Sequence, residues 1–322
     1  MDVRALETLR AVRSQGGVSA AAAVLHLTPS AVSQQLAGLG RDAGVPLTER
    51  IGRGLRLTAA GEALADAAVE VAVALERARA ACAVFLDRPE GAVRVSAFQS
   101  GAQLLLPGLI GRVRALGGID LECSDEDVAQ DEFPGLTDRV DVVVAHRPDG
   151  GAGWPGAGSR LRVVPLLREP LDVAVAADHP LARRESVRPR DLVDEEWIAV
   201  RQGFPVATVL DAVAAAAGSA PRIVHRINDF SVVEAFVAAG HGISLLPRYT
   251  GGGHPGVRLL PLAGVRAGRR VEALLRPDAA ERVVVRRVLD ELVAEAAAVT
   301  GGDVLGSAEG GAQEVVDVGA GQ

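Results

Sequence analysis

The sequence predicts an α/β protein in which a small helical unit, one long helix and two lobes of mixed strands and helices follow one another. Three patterns carry this reading. Apolar residues recur at helical spacing through the first sixty positions, a heptad repeat runs from Leu64 to Phe85, and from Gly91 onward short Val-rich runs alternate with helical stretches. At 322 residues with 48% hydrophobic content, the chain can bury more than one core and is not a disordered polymer.

Leu6, Leu9 and Val12 mark a first helix that Gly16-Gly17 ends. Ser19 is the expected cap of a second, Ala-rich helix through Leu25. Thr28-Pro29 opens a third, since Thr caps well and Pro at the first helical position forfeits no hydrogen bond; Gly44 is its stop. Val32, Leu36 and Leu39 form the inward stripe of that helix. Ser30, Ser33, Gln34 and Ala37 lie opposite, small or polar enough to enter a groove of duplex DNA. Thr28, Pro29 and Ser30 offer its positive end to a phosphate, and Gln34 has the amide geometry that reads adenine. Apolar runs at 45–47 and 55–57 flank Ile51-Gly52-Arg53-Gly54 and read as a hairpin. Arg50, Arg53 and Arg56 sit at its tip, placed for phosphates or the minor groove. An Ala-rich hairpin with merely solvated serines is the plain alternative.

Thr58 can cap a helix from Ala59 to about Asp87, a rod of about 42 Å at 1.5 Å per residue. Leu64, Ala68, Val71, Leu75, Ala78, Cys82 and Phe85 keep alternating steps of four and three, the period of a coiled-coil seam and hence of a homodimer. The competing reading packs this stripe on the chain's own core.

Downstream, strands are expected at 93–97, 119–123 and 140–145, then at 197–201, 223–227 and 243–246, with helices at 101–116 and 206–217 and another starting at Asp229 or Ser231. Two βα-rich lobes follow. Ligands of such sheets gather at the carboxyl ends of strands, near helix N-termini. That rule selects Phe98, Gln99, Ser100, Ser124 and His146 in the first lobe, and Gln202, Phe204, Asp229 and Phe230 in the second. A small anionic or zwitterionic effector suits these groups, which equally serve as loop and capping residues.

The net charge of -7 is unevenly spread. Residues 1–60 carry seven arginines against four acids, whereas residues 61–90 carry three against six, so a DNA contact belongs to the first sixty. No apolar run approaches the roughly eighteen residues of a membrane span, and the N-terminus has no secretion signal; a cytoplasmic protein without membrane attachment is expected. Cys82 and Cys123 make neither a disulfide framework nor a zinc site. GxSxG, GxxxxGK[ST], HExxH and CxxC are all missing, and the six histidines lack metal-ligand spacing. The chain reads as no enzyme, with no cofactor and no metal.

The chain resembles the LysR-type transcriptional regulators. The strongest match is AAAVLHLTPSAVSQQLAGL followed by GVPLTERIGRGLRLTAAGEAL; LLLPGLI at 104–110, Asp178-His179-Pro180-Leu181-Ala182, Gly240-His241-Gly242-Ile243 and Leu246-Pro247 follow in the family's order. The resemblance implies a winged helix-turn-helix DNA-binding domain at 1–58, a linker and dimerisation helix at 59–88, and a two-lobed, periplasmic-binding-protein-like effector domain at 91–300. Its first lobe would comprise 91–165 and 269–300 and its second 166–268; the Gly-rich, acidic composition of 301–322 separately predicts a disordered tail. The resemblance places Thr28, Pro29, Ser30, Ser33 and Gln34 on the recognition helix, and Arg50 and Arg53 on the wing. It also implies double-stranded DNA and a small-molecule effector as partners, and a homodimer that pairs into a homotetramer. Gly40 stands where the family usually has Glu, and Thr48 where it has Phe. The redox-sensing subgroup carries two close cysteines in the effector domain; only Cys123 lies there, so that activity is not carried over. The alternative is a cytoplasmic small-molecule binding protein whose N-terminal helices serve assembly alone.

Overall fold

The computed structural model describes residues 1–52, 54–83, 85 and 90–301. The chain begins with α1 (Val3–Ser14), α2 (Val18–Val24) and α3 (Pro29–Ala43), followed by the hairpin of β1 (Thr48–Ile51) and β2 (Gly54–Leu57). Thr28 caps α3 by accepting the Ala31 N–H, and Gly44 closes it at φ +71°, a left-handed turn that costs a glycine little. Two local expectations are corrected. Gly17, not Ser19, precedes the first turn of α2, because the chain turns helical as soon as the Gly16-Gly17 bend is complete. The apolar run 45–47 does not pair as a strand. Leu47 is instead buried, its carbonyl accepting the Thr58 N–H at 3.0 Å, and pairing starts at Thr48 opposite Leu57.

Next comes α4 (Ala59–Ala83), capped by Thr58, whose hydroxyl accepts the Gly61 N–H at 3.1 Å. The expected extension of this helix to Asp87 falls on positions 84 and 86–89, outside the described residues, as does the tail 302–322. Ala65 and Ala68 close a core with Leu9, Val12, Val32, Leu36, Leu39 and Leu57, so the first turns of the long helix belong to the N-terminal unit.

The remainder contains β3 (Gly91–Ala97), α5 (Gln99–Leu116), β4 (Ile119–Asp125), α6 (Phe133–Leu136), β5 (Val142–Pro148), β6 (Arg162–Ala176), β7 (Glu196–Ala199), α7 (Pro205–Ala217), β8 (Arg222–Arg226), α8 (Phe230–Ala238), β9 (Ser244–Pro247), β10 (Val257–Leu260), β11 (Gly268–Leu275) and α9 (Val283–Val299). One sheet runs in the order β10-β6-β11-β5-β3-β4, with β9 also on β6; β7 and β8 form a separate parallel pair. β6 joins the two lobes. It pairs with β11 over Arg162–Pro170, then with β10 and β9 over Leu171–Ala176. Leu166 and Leu167 lie in a core with Val95, Leu105, Val143 and Val288, whereas Leu171 and Val173 lie in a second core with Trp197, Leu210 and Ile243. His146, expected just after a strand, lies inside β5, which extends to Pro148 because Val271 and Arg270 of β11 pair with His146 and Arg147.

Candidate nucleic-acid interface and interlobe cleft

α3 divides its residues sharply. Val32, Leu36 and Leu39 are buried, whereas Thr28, Pro29, Ser30, Ser33, Gln34 and Ala37 are exposed. Thr28 and Ser30 share a hydroxyl hydrogen bond of 2.9 Å at the helix N-terminus, and Ser33 donates back to the Pro29 carbonyl. Gln34 has no protein hydrogen-bond partner among the described residues, so its amide is available to a ligand. On the wing, Arg50 and Arg56 are exposed; Arg56 pairs with Glu49 across the hairpin at 3.0 Å. Arg53 lies outside the described residues. The surface therefore offers hydroxyls, an amide and guanidinium groups on one helix face and its neighbouring hairpin, the mixture that reads base edges and grips phosphates.

Where the lobes meet, Phe98, Gln99, Ser100, His146, Phe204 and Phe230 surround a cavity of about 20 Å³, room for about one water. The lobes touch around it. Gln99 Nε2 donates to Asp229 Oδ2 at 3.0 Å, and the Gln130 N–H donates to the Gly203 carbonyl at 3.3 Å. Asp229 caps α8 through Oδ1, accepting from the Ser231 and Val232 N–H groups. The Ser231 hydroxyl and then the Gln99 amide hold its carboxyl at about 2. His146 is 4% exposed, 4.2 Å from the Phe98 ring and 5.8 Å from Phe133. Burial first, then the Arg269 charge, pushes its imidazole well below 6.5, so the ring is neutral. Ser124 and Gln202 are exposed and stand outside the cavity wall.

Five wall residues escaped the sequence reading: Asp127, Asn228, Val200, Val206 and Arg269. Arg269 is 1% exposed and donates to Glu169 through Nε and Nη2, at 2.8 and 2.6 Å, and to the Ser100 hydroxyl at 2.8 Å. Its guanidinium lies over Phe98 at 4.7 Å and Phe230 at 6.0 Å. Glu169 is fully buried and also accepts the Tyr249 N–H. The one available signal was an unexpected charge within each of two apolar strands.

Family comparison matches residues 3–62 to the bacterial regulatory helix-turn-helix proteins of the lysR family. Residues 86–297, well over half the chain, match the LysR substrate binding domain. The chain belongs to the LysR family. It is a transcription regulator with a DNA-binding helix-turn-helix and an effector-binding domain. Among LysR relatives, the transcriptional regulator MetR of Salmonella typhimurium is 29% identical over 252 residues, covering 77% of this chain and 75% of that protein. The transcriptional activator CmpR of Synechocystis is 26% identical over 245 residues, covering 76% and 78%. In fold, the chain is similar to a full-length OxyR variant from Pseudomonas aeruginosa, with TM-score 0.62 at 22% identity over 92% of this chain and 97% of that one.

The heptad positions of α4 fall into two sets. Leu64 and Ala68 pack into the N-terminal core, a correction to a seam that faces a partner throughout. Val71, Leu75, Ala78 and Cys82 are exposed, as is Phe85 at 88%, beyond the last described turn. Among the described residues no helix is long and apolar enough to cross a membrane, and no cluster of metal-ligating side chains occurs.

Proposed function

We propose that this regulator reads its operator through Ser30, Ser33 and Gln34, with Arg50, Arg53 and Arg56 on flanking phosphates, and that an effector closed between the lobes alters that binding. The observation carrying the reading is the division of α3, whose polar face is open while its leucine stripe is buried. In this reading residues 1–58 bind DNA, the exposed turns of α4 pair two chains, and the lobes at 91–300 hold the effector. Pairing supplies the second recognition helix that an adjacent half-site, about one helical turn away, requires. Dimers pair again into tetramers, as the family resemblance suggests. Such a protein works in the cytoplasm, where its DNA is, and performs no chemistry of its own.

Fluorescence-anisotropy titration against the gene's own upstream duplex and a scrambled duplex, at several salt concentrations, tests this. Gln34→Ala should cost about 1–3 kcal/mol of discrimination between the two duplexes. Arg50→Ala should weaken binding to both alike and lower the salt slope by about one. Parent-like behaviour in both variants, or a parent protein indifferent to its own upstream DNA, overturns the assignment.

A further inference from the structure

We propose that the effector of the interlobe cleft is a compact molecule without net negative charge, whose N–H donor meets Asp127 while a flat body lies among Phe98, Phe204 and Phe230. This rests on the reading of the cleft as the effector site, and it removes the anionic half of the anionic-or-zwitterionic expectation drawn from the helix N-termini.

The buried cation and the helix N-termini around the cavity are already engaged or covered by the protein's own groups. Arg269 is the buried cation, and Glu169 holds it through two hydrogen bonds to one oxygen. The N-terminus of α8 is taken by Asp229, whose second oxygen reaches across to Gln99 at the start of α5. α7 opens on Pro205, which has no N–H, and the Ala207 N–H donates to the Phe204 carbonyl. The Phe98 ring lies over the first turn of α5 so closely that a Cβ on Gly101 would meet it at 2.6 Å. His146 is neutral and adds no charge.

A carboxylate ligand entering this space gives up its hydration without meeting an uncompensated buried cation. Burying an ion under such terms costs several kcal/mol. The surrounding charges worsen the balance. Asp127 feels Arg269 and Arg201, the latter 5.5 Å over Phe204, but Asp125 and Asp229 also act on it and Arg269 is already paired with Glu169.

What the cavity leaves unmatched is mixed: an acceptor carboxylate, an amide donor and an imidazole nitrogen. Asp127 lines it with no hydrogen bond and no ion pair among the described residues. Asp127 is exposed to solvent on one side; protein crowding on the other pushes its carboxyl up, against the pull of Arg269 and Arg201. His146 Nδ1 and Asn228 Nδ2 are buried in the same wall without partners. Unpaired buried polar atoms are rare in proteins, and two in one small cavity mark a place built to be filled. Three phenyl rings supply the apolar faces that hold a flat molecule. At about 20 Å³ the closed cavity admits no such molecule, so the Gln99–Asp229 contact opens for it to enter.

Three nearly isosteric probes differing in charge test this: phenylacetate, phenylacetamide and phenylacetamidinium, each titrated by calorimetry into the full-length protein. Phenylacetamide and phenylacetamidinium should bind at least tenfold more tightly than phenylacetate. Phe230→Ala should weaken both at least tenfold, which locates them in this cleft. Asp127→Asn, at a position partly open to solvent, should remove at least tenfold of the amidinium's affinity while changing the amide's far less. Phenylacetate binding as tightly as the amide, or an unchanged ranking in Asp127→Asn, overturns the proposal and leaves the cleft an effector site. If no probe binds, or binding is indifferent to Phe230→Ala, both the proposal and the assignment of the cleft fall.

Discussion

His146 shows what burial does to one titratable side chain. Packed between Phe98 and Phe133 with its imidazole pushed well below 6.5, it stays neutral in the folded protein at pH values where an unfolded chain would protonate it. Below about 6.5 the unfolded state therefore binds the extra proton, and stability falls as the pH drops. His146→Phe keeps a ring in the space and removes the titration. The parent should lose about 1 kcal/mol more than this variant between pH 7.5 and 5.5, measured by urea unfolding at both values. Equal losses in the two proteins would remove the physical basis for a neutral, buried imidazole. Arg269 and Glu169 make a related point about what sequence can show. The two charges are a hundred positions apart and meet only because β6 and β11 are neighbours. Separately, each reads as a solvated charge in a strand; a buried pair has no local pattern. Asp127 and Asn228 were hidden for the same reason, since their setting depends on both lobes at once.

At the scale of elements, legibility followed locality. α3 could be read in advance because its cap, its proline, its leucine stripe and its closing glycine all lie within seventeen consecutive residues, Thr28 to Gly44. β6 could not. Pro165, Pro170, Arg168 and Glu169 interrupt its apolar pattern, and it continues as one strand only because different partners pair with its two halves. Two glycines make the same contrast testable. Gly40 lies inside α3, and a Cβ there meets the Val45 carbonyl at 3.4 Å and Leu47 at 4.0 Å, ordinary contact. A helix-interior glycine costs about 0.5–1 kcal/mol relative to alanine, so Gly40→Ala should stabilise by roughly that amount. Gly61, in the first turn of α4, is different: a Cβ would lie 2.1 Å from the Leu47 carbonyl and 2.8 Å from Leu57. Gly61→Ala forces helix and wing apart and should destabilise by about 1–3 kcal/mol, despite the better helix former. Chemical denaturation of both variants, followed by helical circular dichroism, should give opposite signs; the same sign in both would contradict the close helix–wing approach.

In the molecule as a whole, α1 is docked onto the effector domain by polar contacts at the rim of a void. Arg10 meets Asp278 at 3.1 Å, with side chains only 13% and 14% exposed, and Gln15 donates to Asp138 at 2.7 Å and to the Gly135 carbonyl at 3.2 Å. Ser14 also donates to Asp138, and Asp66 of α4 is shared by Arg13 and Arg160. Between these contacts lies a cavity of about 290 Å³, so little apolar packing backs them. Burial raises the Asp278 carboxyl, but Arg276 and Arg10 outweigh it and hold the group below its ordinary range, which keeps the ion pair intact above about pH 4. Removing both anchors with Asp138→Ala and Asp278→Ala should forfeit about 1.5–3 kcal/mol of docking, raising the undocked fraction by about ten- to a hundredfold. Amide hydrogen exchange over residues 134–139 should speed up accordingly, while the helical content of the DNA-binding domain stays unchanged. Phe133, at the start of α6, packs behind the cleft wall against His146, while Gly135 of the same helix holds Gln15. A ligand that displaces the tilted Phe98–His146 contact would thereby push on the support of α1. The double variant should keep effector binding yet lose most of the effector's influence on DNA affinity. Unchanged exchange over 134–139, or a full effector response in the double variant, would show that these contacts do not link cleft and recognition helix.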